Sequence, residues 1–153
     1  DHTGDVRGVI VFASDISKLK EAEEELLAIR QDLESKVAER TKELEEANIY
    51  FALSRDLLCI ATKDGYFRRL NPSWQQKLGY SLEDLVERPF LSLVHPDDRE
   101  RSRAALGHLQ EGGYIRNFEN RYLRKDGSVC WFLWSASAPA DSELIYAVAY
   151  DIT

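Results

Sequence analysis

Apolar positions from Ile16 to about Phe51 recur at intervals of three and four residues, and the positions between them are mostly Glu and Lys. Leu19, Ala22, Leu26, Ile29 and Leu33 keep a 3-4-3-4 spacing, the heptad rule for helices that supercoil about one another. After Leu33 the stripe steps on by four, to Val37, and continues through Leu44, Ala47 and Phe51; such a stutter locally unwinds a left-handed coil. A stripe this narrow buries too little area to hold a lone helix in water. It therefore predicts a seam between two parallel copies rather than a helix lying on its own domain.

From about Asp56 the pattern changes. "LLCIATKDGYFRRL" predicts two short strands around a Lys-Asp-Gly turn, and "YLRKDGSVCWFLWSA" a longer pair around another. Short helices with explicit start signals lie between the hairpins. Asn71-Pro72 predicts an N-cap followed by Pro at the first helical position, with Gly79 closing the helix. Ser81-Leu-Glu-Asp84 reads as a capping-box-like start. His95-Pro96-Asp97-Asp98 opens a longer helix to about Gln110, with acids in the first turn where the helix dipole favours them, and Gly112-Gly113 ends it. A last strand covers Leu144 to Tyr150. Two strands, several short helices and three strands make an α+β domain with an antiparallel sheet covered on one face.

The opening stretch "VIVFASDISKLKEAEEEL", residues 9 to 26, runs from a β-branched segment into a charged helix with no turn residue. It predicts a strand over Val9 to Ser14, one that would be disordered or borrow a neighbour's edge without its own sheet. "AVAYDIT", residues 147 to 153, repeats the pattern of "VFASDIS", residues 11 to 17. Three segments result: 1–17, a terminal strand and closing motif; 18–52, a linker helix; and 53–153, a complete domain.

Charge narrows the function classes. With a formal net charge of −7 the chain does not read as a nucleic-acid binder, and its only basic cluster, Arg99, Arg101 and Arg103, is diluted by Asp98 and Glu100. Cys59 and Cys130 lie far apart and form no metal-ligand spacing, which fits a reducing, cytoplasmic setting. No apolar run of membrane-spanning length and no export signal is present, so no membrane contact is expected of this segment.

Several motifs then add up. "DG-x-F-x-x-x-N-P" (Asp64 to Pro72), "LGYS-x-E-D-L" (Leu78 to Leu85), "HPDDR" (His95 to Arg99), "E-x-R-x-x-R-K-DGS-x-x-W" (Glu119 to Trp131) and the closing "DIT" (Asp151 to Thr153) together resemble a PAS domain with its PAC continuation, a sensory module of bacterial signalling proteins. The resemblance implies a five-stranded sheet in the order 2-1-5-4-3, helices on one face and a pocket between them. It implies that Trp74, Leu78, Phe90, Leu93, Leu106 and some of Tyr122, Trp131 and Trp134, with Tyr122 and Trp134 the expected ones, line that interior, although without a cofactor motif the plainer reading of these residues is core. "DVRGVIVFASDIS" resembles the end of a preceding PAS domain. "V-A-E-R-T-K-E-L-E-E-A-N" (Val37 to Asn48) resembles the linker helices of sensor kinases and cyclic-dinucleotide enzymes.

Cofactor chemistry is poorly supported by the residues present. Haem-binding relatives carry an axial His near the position of Arg103, and His108 comes more than a turn later. Flavin photosensors need a Cys where Arg88 stands. Cys59 and Cys130, on the first and fourth strands with the fifth between, would be about 10 Å apart and read as small core residues. His95 reads as helix-start chemistry rather than a catalytic base, because no nucleophile or metal set converges on it. Glu119 and Arg121 share a strand face and suggest a cross-strand polar contact. No catalytic residue and no metal site is expected, while a small-molecule ligand stays open.

Asp151 ends the last strand where the next helix would begin, so its carboxylate is placed to accept backbone N–H groups there. Asp15 holds the equivalent place before the coil. Asp15, Ile16, Asp151, Ile152 and Thr153 are the expected signal relay. The resemblance, with the heptad seam, thus implies a sensory module that dimerises through a coiled coil and relays to an output domain of the same chain, a histidine kinase first and a diguanylate cyclase next. The other reading is a ligand-free dimerisation or spacer module.

Overall fold

The structure is a computed structural model that describes residues 3–153, with side chains described for residues 13–153. The chain divides into a helical unit up to Ala47 and a second unit, Asn48–Thr153. The first is built from helix α1, which spans Thr3–Leu53. Its expected seam residues Leu19, Leu26, Ile29, Leu33, Val37 and Leu44 are all more than half exposed. Intrahelical pairs Arg30–Glu34 and Lys36–Asp32, at 3.0 and 3.1 Å, decorate α1 and add a few tenths of a kcal/mol each at most.

The expected strand over Val9 to Ser14 is not formed: these residues are helical backbone within α1. A strand must find its hydrogen bonds on a neighbour, whereas a helix closes them within the segment. A β-branched run that leads into a strong helix former can extend that helix without a partner strand. Asp15 consequently lies exposed inside α1 rather than at a helix start.

In the second unit, β1 (Leu57–Thr62), β2 (Phe67–Leu70), β3 (Tyr114–Leu123), β4 (Val129–Ser137) and β5 (Leu144–Asp151) form one antiparallel sheet in the order β2-β1-β5-β4-β3. Between β2 and β3 come α2 (Ser73–Leu78), α3 (Leu82–Val86), two single 3₁₀ turns (Phe90–Leu93 and Pro96–Asp98) and α4 (Arg99–Gln110). Alternate strand positions, such as Leu57, Cys59 and Ala61 on β1 and Cys130, Phe132 and Trp134 on β4, are buried against Trp74, Leu78, Leu85, Leu93 and Leu106 from the helical layer. The two Lys-Asp-Gly turns are where the sequence places them, and Gly65 takes φ +95°, a backbone state an L side chain resists. Gly79 closes α2 at φ +80°, and Ser81 caps α3 by accepting the Asp84 N–H at 3.1 Å.

Asn71 corrects the sequence reading. Its side chain caps no helix; α2 begins at Ser73 with Pro72 ahead of it. The fully buried amide instead stitches together the segment that leads into β1. Asn71 Oδ1 accepts the Leu58 N–H at 3.0 Å, and Nδ2 donates to the carbonyls of Ser54 and Asp56 at 3.2 and 2.8 Å. The Ser73 hydroxyl donates to the same Ser54 carbonyl at 2.6 Å. Phe51, expected in the dimer seam, is half-buried under the Arg69 guanidinium at 4.3 Å, while Arg69 Nη2 donates to Asn48 Oδ1 at 2.6 Å. The last turn of α1 is therefore used by the domain it leads into.

Replacing Asn71 by Ala removes three part-buried bonds, of whose backbone partners the Ser54 carbonyl keeps the Ser73 hydroxyl. Asn71→Ala should lower unfolding stability by about 2–4 kcal/mol in a denaturant titration, and a loss below about 0.5 kcal/mol would contradict this role.

Candidate functional site

A cavity of about 70 Å³ lies between the inner face of the sheet and the helical layer. Phe90, Leu91, Val94, Ser102, Ala105, Leu106 and Leu109 enclose it from the helical side, and Phe67 of β2 closes it at the edge of the sheet. Cys59, Ala61, Ile115, Phe118, Asn120, Tyr122, Trp134, Ala136, Ile145 and Ala147 enclose it from the sheet. The space exists because the residues at four lining positions are Ala, whose side chains stop short of the aromatic rings around them. Strict alternation would send Ile115 and Phe118 to opposite faces. A bulge between them, with Asn117 at φ +54°, turns both inward.

Of the expected pocket residues, Phe90, Leu106, Tyr122 and Trp134 line the cavity. Trp74, Leu78 and Leu93 are buried in the adjoining core and do not reach it. Trp131 is 38% exposed and points to the opposite face of the sheet, under the Arg121 guanidinium at 5.3 Å. Trp131 and Trp134 differ by an odd number of positions on one strand, and period two separates them.

One polar group set is sunk into this wall. Asn120 Oδ1 accepts the Trp134 indole N–H at 2.8 Å, and Asn120 Nδ2 donates to Ser102 Oγ at 2.9 Å. Sequence reasoning missed Asn120 and Ser102, whose only signal was an amide at a buried strand position and a Ser on the apolar side of α4. The two thiols are free and buried. Burial pushes the Cys59 thiol far up, and pushes Cys130 up to about 11, so both are protonated at neutral pH. Arg103 pairs with Glu100 on the solvent side of α4, His108 is exposed, and Arg88 donates to the Asp84 carbonyl.

"HPDDR" and "E-x-R" prove to be two halves of one clamp. The Asp98 carboxylate accepts the Arg121 main-chain N–H at 2.8 Å and its guanidinium through Nε at 2.9 Å and Nη2 at 2.7 Å. The His95 N–H donates to the Arg121 carbonyl at 2.8 Å, and Arg101 donates to the Glu119 carbonyl at 2.7 Å. Strand β3 is a sheet edge, and this contact covers its open backbone groups while holding α4 over the cavity. His95 also accepts the Asp97 N–H through Nδ1 at 3.3 Å, the capping role its position implied.

At the far end of the sheet, Asp151 Oδ1 accepts the Thr153 N–H at 3.0 Å and its hydroxyl at 2.6 Å, and Oδ2 pairs with Lys77 Nζ at 3.0 Å. Burial alone would raise this carboxyl; the Thr153 hydroxyl and N–H and the Lys77 ammonium outweigh it and hold the group below its ordinary range. The Ile152 N–H donates to the Trp131 carbonyl at 2.9 Å, and Thr153 Oγ1 accepts the Trp131 N–H at 2.9 Å. The chain thus leaves the sheet fastened to β4 and to α2.

The PAS fold family matches residues 67–146, more than half of the chain. The chain belongs to the PAS fold family. This PAS domain is similar, at 23% identity and a TM-score of 0.62, to the PAS domain of an HTR-like protein from Haloarcula marismortui, over 75% of this chain and 99% of that one. It is similar, at 22% identity and a TM-score of 0.64, to a PAS domain from Colwellia psychrerythraea, over 72% of this chain and 97% of that one. A curated relative, the sensor histidine kinase TmoS of Ectopseudomonas mendocina, is 32% identical over 88 residues, 54% of this chain. The match spans only 9% of that kinase's length. The sheet order and helical layer of the PAS fold are those expected from the motifs. Among the described residues, no helix is long and apolar enough to cross a membrane.

Arg121 holds the Asp98 carboxyl at about 2, below its ordinary 3.8, against the opposing effect of burial. A carboxyl depressed on folding stabilises fully above its unfolded value and loses that contribution as pH falls through its folded one. The stability difference between wild type and Asp98→Asn should therefore be about 1–3 kcal/mol at pH 7 and close between about pH 4 and pH 2 in denaturant titrations; a difference unchanged across that window would contradict the clamp.

Proposed function

We propose that this chain is the sensory and relay segment of a larger signalling protein, in which the PAS cavity reads a small molecule and the fastening of the chain ends passes the result to paired helices. In this reading α1 pairs in parallel with a second copy through Leu19, Leu26, Ile29, Leu33, Val37 and Leu44. Residues 1–17 are the close of a preceding PAS domain, and the output domain follows Thr153 in the same, cytoplasmic chain. The 32% identity to a sensor histidine kinase supports a kinase as that output.

Helix α2 carries the reading, because six residues touch all three places that a relay must connect. Trp74 packs on the cavity walls, with ring centroids 6.2 Å from Tyr122 and 5.8 Å from Trp134. Ser73 holds the Ser54 carbonyl where the chain enters the domain, and Lys77 holds Asp151 where it leaves. A change in cavity filling that shifts Trp74 moves both fastenings on one rigid turn. The stutter after Leu33 supplies a place where two pairings of the coil lie close in energy, which a switch requires.

The test is disulfide crosslinking of Leu26→Cys and Leu44→Cys, for which the buried native thiols offer little competition. Both should crosslink between copies, and Lys77→Ala should change the ratio of the two yields at least about twofold. Crosslinking at neither position would remove the coiled coil. Equal yields with and without Lys77 would leave a PAS domain that spaces or dimerises its neighbours without relaying.

A further inference from the structure

The apolar stripe of α1 is not uniform along its length. Leu19, Leu26 and Leu33 stand at heptad position a and Ala22 and Ile29 at d, which puts Lys18, Glu25 and Asp32 at g and Glu23 and Arg30 at e. In a parallel, in-register pair each g side chain meets the e side chain five residues on in the other copy. Lys18 then meets Glu23 of the second copy, and Glu25 meets its Arg30. Both pairs join opposite charges, and symmetry makes each of them twice. An antiparallel pair sets g against g and e against e instead. In its two registers of greatest overlap Glu25 faces Glu25 or Asp32 of the second copy, so like charges meet across the seam.

Beyond Leu33 the pattern changes. Arg40 falls in the stripe in either frame: it stands at a, seven residues after Leu33, if the heptads run on, and at d, three after Val37, once the stutter shifts them. The shift takes Lys36 out of the stripe and leaves Arg40 in it. Among the described residues of α1 the ion pairs are Arg30–Glu34 and Lys36–Asp32, so the exposed Arg40 guanidinium has none. In the shifted frame the e positions are Thr41 and Asn48, which carry no charge to answer Lys36 and Glu43 at g. A polar group at a single core position of a coil fixes its register at a cost in stability, and two guanidinium groups facing one another add repulsion.

We infer that residues 18–33 of α1 hold a second copy of this chain parallel and in register, and that Arg40 keeps the heptads leading into the PAS domain in a weaker, separable pairing. The inference rests on the paired-helix part of the proposed function and gives its two halves different tasks: the first clasps, and the second opens and closes.

Sedimentation equilibrium of the full chain at low ionic strength tests it. Lys18→Glu should weaken the dimer about fivefold, and adding Glu23→Lys should restore it to within about twofold of wild type. Residues five apart do not face each other on one helix, so the rescue requires two copies in this register. Arg40→Leu should tighten the dimer about tenfold and raise the crosslinking yield of Leu44→Cys, while Lys42→Leu, at the outward f position, should change neither by more than about twofold. A dimer indifferent to Lys18→Glu, a double variant as weak as the single one, or Arg40→Leu with no more effect than Lys42→Leu would each overturn the inference and leave the relay standing. A chain that stays monomeric would overturn both. A rescued dimer whose crosslinking ratio ignores Lys77→Ala upholds the inference and overturns the relay.

Discussion

The second unit is organised around the indole of Trp74, which has no solvent exposure and donates its N–H to the Leu58 carbonyl at 3.0 Å. A buried indole needs such a partner, and supplying it fixes the ring against β1. Phe67, Tyr122, Phe132 and Trp134 then surround it with centroids 4.8 to 6.4 Å apart across the group. Because Trp74 is locked, α2 is locked, and its neighbours Ser73 and Lys77 are held at the two chain joints. A short helix of poor intrinsic stability thus becomes a rigid fitting through packing rather than propensity.

Around that centre the sheet has to close an open edge without closing its pocket. The contact of His95, Asp98 and Arg101 with Glu119 and Arg121 meets the first demand, taking up the free N–H and C=O groups of β3 from the start of α4. The bulge at Asn117 meets the second, since it swings Ile115 and Phe118 over the cavity where a regular strand would turn one of them to solvent. Polar residues inside the wall survive burial because they satisfy one another: Asn120 is bonded to both Trp134 and Ser102.

Much of this was legible where the chemistry is local. The helix of α1, the two Lys-Asp-Gly hairpins, the Gly79 cap and the Ser81 cap each depend on residues within a few positions of one another. The combined motifs carried the strand order. What stayed hidden depends on partners far along the chain. Asn71 looked like a helix cap, but its amide serves residues 13 to 17 positions earlier. Asp98 looked like first-turn charge, but its partner is 23 residues on. Trp74, Leu78 and Leu93 have the same apolar character as true cavity residues, and only the packing shows that the space lies beyond them. The segment from Val9 to Ser14 misled in the other direction, since a β-branched composition favours a strand only where a sheet edge exists to receive it.

The central claim is that the cavity and the chain exit are coupled through α2. The direct measurement is a comparison of the ¹⁵N–¹H correlation spectra of the wild type and of Ala136→Leu, which fills the cavity. The account predicts that the Trp134 indole, the Trp74 indole and the backbone amide of Thr153 all shift between the two. A shift of Trp134 with Trp74 and Thr153 unmoved would show a pocket that fills without reaching the joint, and would contradict it.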